Sequence, residues 1–177
     1  VGAKSFSGQS SAISAIDFYL QSEESGNVLS LRGAEGSGKS TLLKQIEANA
    51  QNVINLKNYP GENNFDSWKN ILLQIIYNQK VFNNLTIEDL AELKKLLGSD
   101  PPNLYEKLRA VFIKITKDTD IIVLIDDINV KDNFSLTILK QLIQVLQINN
   151  IKTIITEVSD KNYSTAKINN CQIFNLT

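Results

Sequence analysis

Apolar positions in this chain follow two periods in alternation, and the switches between them predict the elements. Val28 to Leu31 is a short apolar run after the polar turn Ser22 to Gly26, as expected of a buried strand, and Ser40 to Asn49 then carries Leu42, Leu43 and Ile46 at helical spacing. Ahead of that strand, Lys4 to Gln9 is polar and contains glycine, and Ser10 to Gln21 places Ile13, Ile16, Phe18 and Leu20 at partly helical spacing, which predicts a leading helix. Val53 to Leu56 alternates and predicts a second strand, closed by the breaker cluster Asn58 to Asn64. Phe65 to Asn78 carries Trp68, Ile71, Leu72, Ile75 and Ile76 as one apolar stripe, read as core rather than as a stacking platform. Thr86 with Asp89 forms a capping box for a helix through Leu97, which Gly98 closes. Pro101 and Pro102 precede a helix over about Asn103 to Lys117, with Leu104, Leu108, Val111, Phe112 and Ile115 inside.

Ile121 to Asp127 is a third strand, and its unbroken aliphatic run fits a parallel strand covered on both faces. Asp132 or Asn133 caps a helix through Leu146 with Ile138, Leu139, Leu142, Ile143 and Leu146 toward the core, and Asn149 and Asn150 break it. Lys152 to Thr156 and Gln172 to Leu176 are the fourth and fifth strands. Strands and helices alternating in this way predict an α/β fold, a three-layer αβα sandwich around a five-stranded, mostly parallel sheet. With 177 residues, 42% of them hydrophobic, and no repeat or linker, residues 1–177 read as one domain.

The first strand runs into Gly33, Ala34, Glu35, Gly36, Ser37, Gly38, Lys39, Ser40 and Thr41, which satisfy G-x-x-x-x-G-K-[ST] between a strand and a helix. Glycines at these places let successive backbone N–H groups converge on a phosphate at the helix N-terminus. Lys39 then reaches the β- and γ-phosphates, and Ser40 ligates Mg²⁺. Asp126 and Asp127 fall at the carboxyl end of the third strand, where ligands of open α/β sheets bind. Asp126 is placed to hold Mg²⁺, directly or through water, and Asp127 to orient or deprotonate an attacking water. Thr156 ends the fourth strand, where its hydroxyl could sense the γ-phosphate.

Composition narrows the chemistry. A net charge of −1 gives no strong electrostatic footprint for nucleic acid. The absence of histidine leaves acid–base work to carboxylates and lysines, and the single cysteine, Cys171, reads as a small buried apolar residue. No apolar stretch reaches membrane-span length and no signal peptide is visible, so an intracellular chain is expected. Arg32 and Arg109 are the only arginines, and neither is placed as an arginine finger. The chain starts at Val1, lacks methionine and stops just after a predicted strand, which suggests a piece of a larger protein.

These landmarks, in this order, resemble P-loop NTPases, and more specifically the branch that holds AAA+ ATPases and the STAND signalling ATPases. The resemblance runs from Phe6-Ser7-Gly8-Gln9 to the last strand. That first segment is similar to the family's hydrophobic-x-Gly-Arg element beside adenine, with Gln9 in place of the arginine. Asp126-Asp127 resembles the double aspartate of NB-ARC and NACHT members, and the stretch with Phe65 and Trp68 resembles the same group. Thr156 and Glu157 stand where NB-ARC proteins often carry a phosphate-contacting arginine. The resemblance implies that a helical lid, and often a winged helix, follows.

A GTPase would need Asp-x-x-Gly after the third strand and Asn-Lys-x-Asp for guanine; both are absent, which favours adenine. Two arginines are a poor supply for a small-molecule kinase, and nothing after Arg109 offers a neighbour-activating arginine of a fast hexameric motor. The expectation is an ATP-binding, slowly hydrolysing switch domain using ATP/ADP and Mg²⁺, with the lid or effector domains of the same protein, or an oligomer of it, as partners. Two other readings stand beside it: the core of a replication-initiator or DNA-loading AAA+ ATPase, and a scaffold module that binds nucleotide without turnover.

Overall fold

The computed structural model describes residues 2–56, 67–79, 82, 84–98, 103–126, 128, 133–159 and 168–176. The expected breaker cluster Asn58 to Asn64, Phe65, the Pro101-Pro102 pair, Asp132 and Asp127 lie outside the described residues, as do the side chains of Trp68, Ile71 and Leu104. In chain order the elements are α1 (Gly2–Gln21), β1 (Val28–Gly33), α2 (Lys39–Asn49), β2 (Val53–Leu56), α3 (Ser67–Tyr77), α4 (Ile87–Leu97), α5 (Leu104–Thr116), β3 (Ile122–Ile125), α6 (Asn133–Ile148), β4 (Lys152–Val158) and β5 (Cys171–Asn175). All five strands are parallel, in the order β2-β3-β4-β1-β5. The fold is the predicted α/β sandwich, and the strand order is what sequence did not reveal. β4 returns from the far side to lie between β3 and β1.

Side chains alternate across the sheet, and each face builds its own core. Leu29, Leu31, Leu124 and Ile154 point toward α1 and α2 and pack with Ala12, Ile16, Tyr19, Leu42, Leu43 and Ile46. Val28, Ile54, Val123, Ile125 and Ile155 point the other way, onto α3 to α6 through Leu72, Ile75, Leu93, Leu108, Phe112, Ile138 and Leu142. Strands buried on both faces need apolar residues at every position, which is why β3 reads as a continuous aliphatic run rather than as an alternation.

The helix ends follow local chemistry. Thr86 accepts a bond from the Asp89 N–H, and the Asp89 carboxylate accepts one from the Thr86 N–H, so the expected capping box opens α4. Gly98 closes α4 with φ −90°, so this glycine is not used for a left-handed turn. Asn150 is left-handed, at φ 59°, and the bonds Ile151 N–H to Leu146 O and Asn150 N–H to Gln147 O close α6 as a Schellman motif. Asn149 donates to Ile113 O and Thr116 Oγ1, tying that end to α5.

The leading helix differs from expectation. α1 runs back through the polar residues 2–9, so Phe6-Ser7-Gly8-Gln9 lies within a helix. Its buried stripe is Ala12, Ile16 and Tyr19, while Phe18 is 77% exposed. Tyr19 fixes the seat: its hydroxyl donates to Asn27 O at 2.8 Å and accepts from Thr153 N–H at 2.9 Å, at the amino ends of β1 and β4. Burial pushes that hydroxyl up to about 12. Among the described residues, no helix is long and apolar enough to cross a membrane.

The α4 cap yields a test. Burial raises the Asp89 pKa, but the Lys114 ammonium at 2.8 Å and the two Thr86 bonds outweigh it and hold the carboxyl below its ordinary 3.8. A depressed folded value contributes stability that is present above 3.8 and is lost as pH falls through the lower folded value. Thr86→Ala should cost about 1 kcal/mol in urea unfolding at neutral pH. Asp89→Asn should flatten the acid side of the stability profile measured by the same method.

Candidate functional site

The motif loop leaves β1, an inner strand of the sheet between β4 and β5. Gly36 and Gly38 have φ of 78° and 94°, in the left-handed region that side chains resist, so the turn that brings the chain into α2 requires glycine there. Gly38 is also the N-cap of α2 and makes no side-chain cap bond, which leaves the N–H groups of the first turn directed at the loop without a competing oxygen from that cap. A Cβ on Gly33 would lie 2.5 Å from Ser37 Oγ and 3.1 Å from Leu176 Cβ, so the start of the loop is packed too tightly for a side chain.

Lys39 is only 6% exposed, and its ammonium folds back over the loop. It donates to Gly33 O at 2.9 Å, Ala34 O at 2.8 Å and Ser37 Oγ at 3.4 Å. A buried ammonium held by carbonyl dipoles and one hydroxyl, with no carboxylate among these partners, is matched to an anion that can replace them. One residue on, Ser40 Oγ donates to the Asp126 carboxylate, 3.0 Å from Oδ2 and 3.2 Å from Oδ1. Thr156 Oγ1 donates to Asp126 Oδ1 at 2.7 Å from the neighbouring strand. The half-buried Asp126 carboxylate is thereby held from both sides by hydroxyls.

The structure therefore brings Gly33, Lys39, Ser40, Asp126 and Thr156 together, while Ala34, Glu35, Gly36 and Thr41 lie exposed along the loop and the start of α2. Thr156 is fully buried and its hydroxyl is engaged by Asp126. Asp127 lies outside the described residues. Sequence reading ended the fourth strand at Thr156, one residue short of Glu157. β4 in fact continues to Val158, and Arg32 Nε donates to Glu157 Oε1 at 2.6 Å across the β1–β4 register. The signal available was the β-branched Val158 one residue beyond the glutamate. Cys171 is a free, partly buried thiol whose pKa burial pushes up to about 11, so it is held in its neutral, unreactive form at neutral pH. Among the described residues, no group of three or more His, Cys, Asp or Glu converges.

A glycine loop closing on a helix N-terminus at the end of an inner strand, with a carboxylate one strand beyond its neighbour, defines a P-loop fold of the AAA+-like kind. Structural comparison agrees. The chain matches a chain of the Drosophila ORC structure bound to AT-rich DNA and Cdc6, with a TM-score of 0.58 and 15% identity over 99% of this chain and 56% of that one. It matches a chain of Drosophila ORC bound to DNA with a TM-score of 0.53 and 11% identity, over 99% of this chain and 31% of that one. A Walker-type ATPase of Pyrococcus abyssi follows at 0.43 and 19% identity, over 78% of this chain and 41% of that one. This chain thus spans between about a third and somewhat over half the length of these three chains. No protein-family model and no curated protein sequence matches it.

The loop geometry predicts a contrast between two glycines. Gly38→Ala, at φ 94°, should destabilise the fold by about 1–3 kcal/mol. Gly98→Ala, at φ −90° with Lys95 O 3.8 Å from the new Cβ, should be neutral or stabilise by up to about 1 kcal/mol. Urea unfolding of both variants measures the difference.

Proposed function

We propose that this chain is the ATP-binding core of a regulatory protein of the STAND or AAA+ type, in which bound nucleotide sets the docking of further domains and hydrolysis is slow. The observation that carries this reading is the convergence of the Ser40 hydroxyl, the Asp126 carboxylate and the Thr156 hydroxyl beside the Lys39 loop. The donor set fits Mg²⁺, a hard cation that takes one or two carboxylates with hydroxyl, water and phosphate oxygens and needs no all-protein cage. The glycine-only turn at Gly36 and Gly38 fits close approach of backbone to phosphate.

In this mechanism the backbone N–H groups of residues 36–40 bind and orient the phosphates, and Lys39 exchanges the Gly33 and Ala34 carbonyls for phosphate oxygens. Ser40 and Asp126 would hold Mg²⁺, which when bound would draw charge from the phosphate oxygens. Asp127 orients the attacking water and accepts its proton. Thr156 keeps Asp126 turned toward Ser40, so a change at the γ-phosphate reaches β4 through one carboxylate. Slow turnover is supported by the arginine placement: Arg32 is engaged by Glu157, and Arg109 is exposed on α5 in the opposite layer. The finer assignment, a NACHT- or NB-ARC-like switch occupying residues 1–177 as one domain, is supported by the Asp126-Asp127 pair.

The ORC likeness favours a second reading, the core of a DNA-loading or initiator ATPase. Salt-dependent binding of duplex DNA by the longer protein would select it over the switch.

Calorimetric titration with ATP, ADP and GTP, with and without Mg²⁺, tests the proposal. Adenine-selective binding strengthened by Mg²⁺ is expected, with Lys39→Ala weakening it on the order of 100-fold. Failure of the folded chain to bind, or equal affinity of wild type and Lys39→Ala, would overturn it. Asp127→Asn should keep ATP binding and lose phosphate release, and normal turnover in that variant would remove the role given to Asp127. Thr156→Val should cut the Mg²⁺-dependent gain in affinity by about 10-fold or more.

A further inference from the structure

Glu157 is an acid with no exposed surface, near the end of β4, in a sheet whose interior is otherwise apolar at most positions. A carboxylate in such a place is costly to desolvate, and an apolar residue of similar volume would commonly stabilise a fold as well or better. Its partner is close and specific. Arg32 Nε donates to Oε1 at 2.6 Å, with the arginine side chain 23% exposed. Arg32 is the residue immediately before Gly33, where the loop begins, and it is the register partner of Glu157 across the parallel β1–β4 ladder. Glu157 in turn adjoins Thr156, whose side chain leaves the opposite face of β4 and holds Asp126 at 2.7 Å.

These contacts close a circuit. Arg32 leads through the loop to Ser40, Ser40 bonds Asp126, Asp126 bonds Thr156, and Thr156 is joined through one peptide bond to Glu157, which returns to Arg32. Ser159 N–H, two residues past Glu157, donates to Gly33 O at 3.0 Å, the same carbonyl that accepts from Lys39. Because side chains alternate with period two, the rotation of β4 that places Glu157 on Arg32 also places Thr156 on Asp126.

We infer that Arg32 and Glu157 are a positioning pair for the metal-holding carboxylate: the ion pair sets the end of β4, and through Thr156 it sets the orientation of Asp126 toward Ser40. This rests on the reading of Ser40 and Asp126 as the Mg²⁺ side of a nucleotide site. That reading gives neither member of the pair a nucleotide contact. A purely structural pair would affect stability alone, whereas a positioning pair also sets how Asp126 is held and how much Mg²⁺ adds to ATP affinity.

The experiment uses Glu157→Gln and Arg32→Lys, with Thr156→Val as the reference for a released Asp126 and Thr86→Ala, at the α4 cap, as a distant destabilised control. Two quantities are read at neutral pH: the side-chain carboxyl ¹³C shift of Asp126 in the nucleotide-free protein, and the ratio of ATP affinities with Mg²⁺ and with EDTA. Both pair variants should move the Asp126 shift in the direction of Thr156→Val and lower the Mg²⁺ ratio by about 10-fold, with affinity in EDTA little changed. Should Glu157→Gln not fold, Arg32→Lys, which retains the charge and alters only its geometry, carries the test. An Asp126 shift and a Mg²⁺ ratio that stay with wild type and Thr86→Ala would overturn the inference. If wild type binds no ATP, the reading of the site fails, and the carboxyl shift alone still decides whether the pair orients Asp126.

Discussion

Every strand of this sheet runs in the same direction, and the rest of the structure depends on that constraint. Parallel strands require a crossover between each pair, so the helices must lie on the two faces and the carboxyl ends of all five strands must lie along one edge. That edge collects the loop after β1, the carboxylate after β3 and the hydroxyl on β4, although they are far apart in sequence. Both faces are covered, so the strands can be apolar along most of their length.

The strand order gives the edge its chemistry. β4 lies between β1 and β3, so a threonine on β4 can bond a carboxylate after β3 while the next residue bonds an arginine on β1. Had β3 paired directly with β1, Asp126 would face the loop without the Thr156 hydroxyl behind it. The structure instead suspends the carboxylate between Ser40 on α2 and Thr156 on β4, and this is the arrangement on which the proposed nucleotide response rests. A carboxylate with two hydroxyl donors has a defined orientation, and the proposed switch acts by altering what that orientation faces.

The charged groups divide between the two faces of the sheet. Lys39 and Asp126 lie on the face of α1 and α2, where ligand chemistry is proposed. Arg32 and Glu157 lie on the other face and are already paired. The similarity of the fold to chains of the ORC structures at 15% identity or less shows how little of it depends on particular residues. Burial pattern and crossover direction carry the architecture, and only a few polar positions need their particular side chains.

Much was legible in the sequence because the physics there is local. Among the described residues, apolar periodicity located all five strands and each of the six helices, since burial on two faces or on one stripe leaves a period in the chain. The glycines of the loop were legible because left-handed turns at Gly36 and Gly38 exclude side chains. The Thr86 cap and the Asn150 terminus followed from short-range hydrogen bonding. The stripe of α1 was misjudged, because Tyr19 is buried through its bonds to Asn27 and Thr153, which belong to distant strands. Tertiary structure alone decided the place of β4 in the sheet, and with it the pairing of Thr156 with Asp126 and of Glu157 with Arg32. Residues 30 and 125 positions apart leave no period in a sequence, and only the packed sheet decides which of them meet.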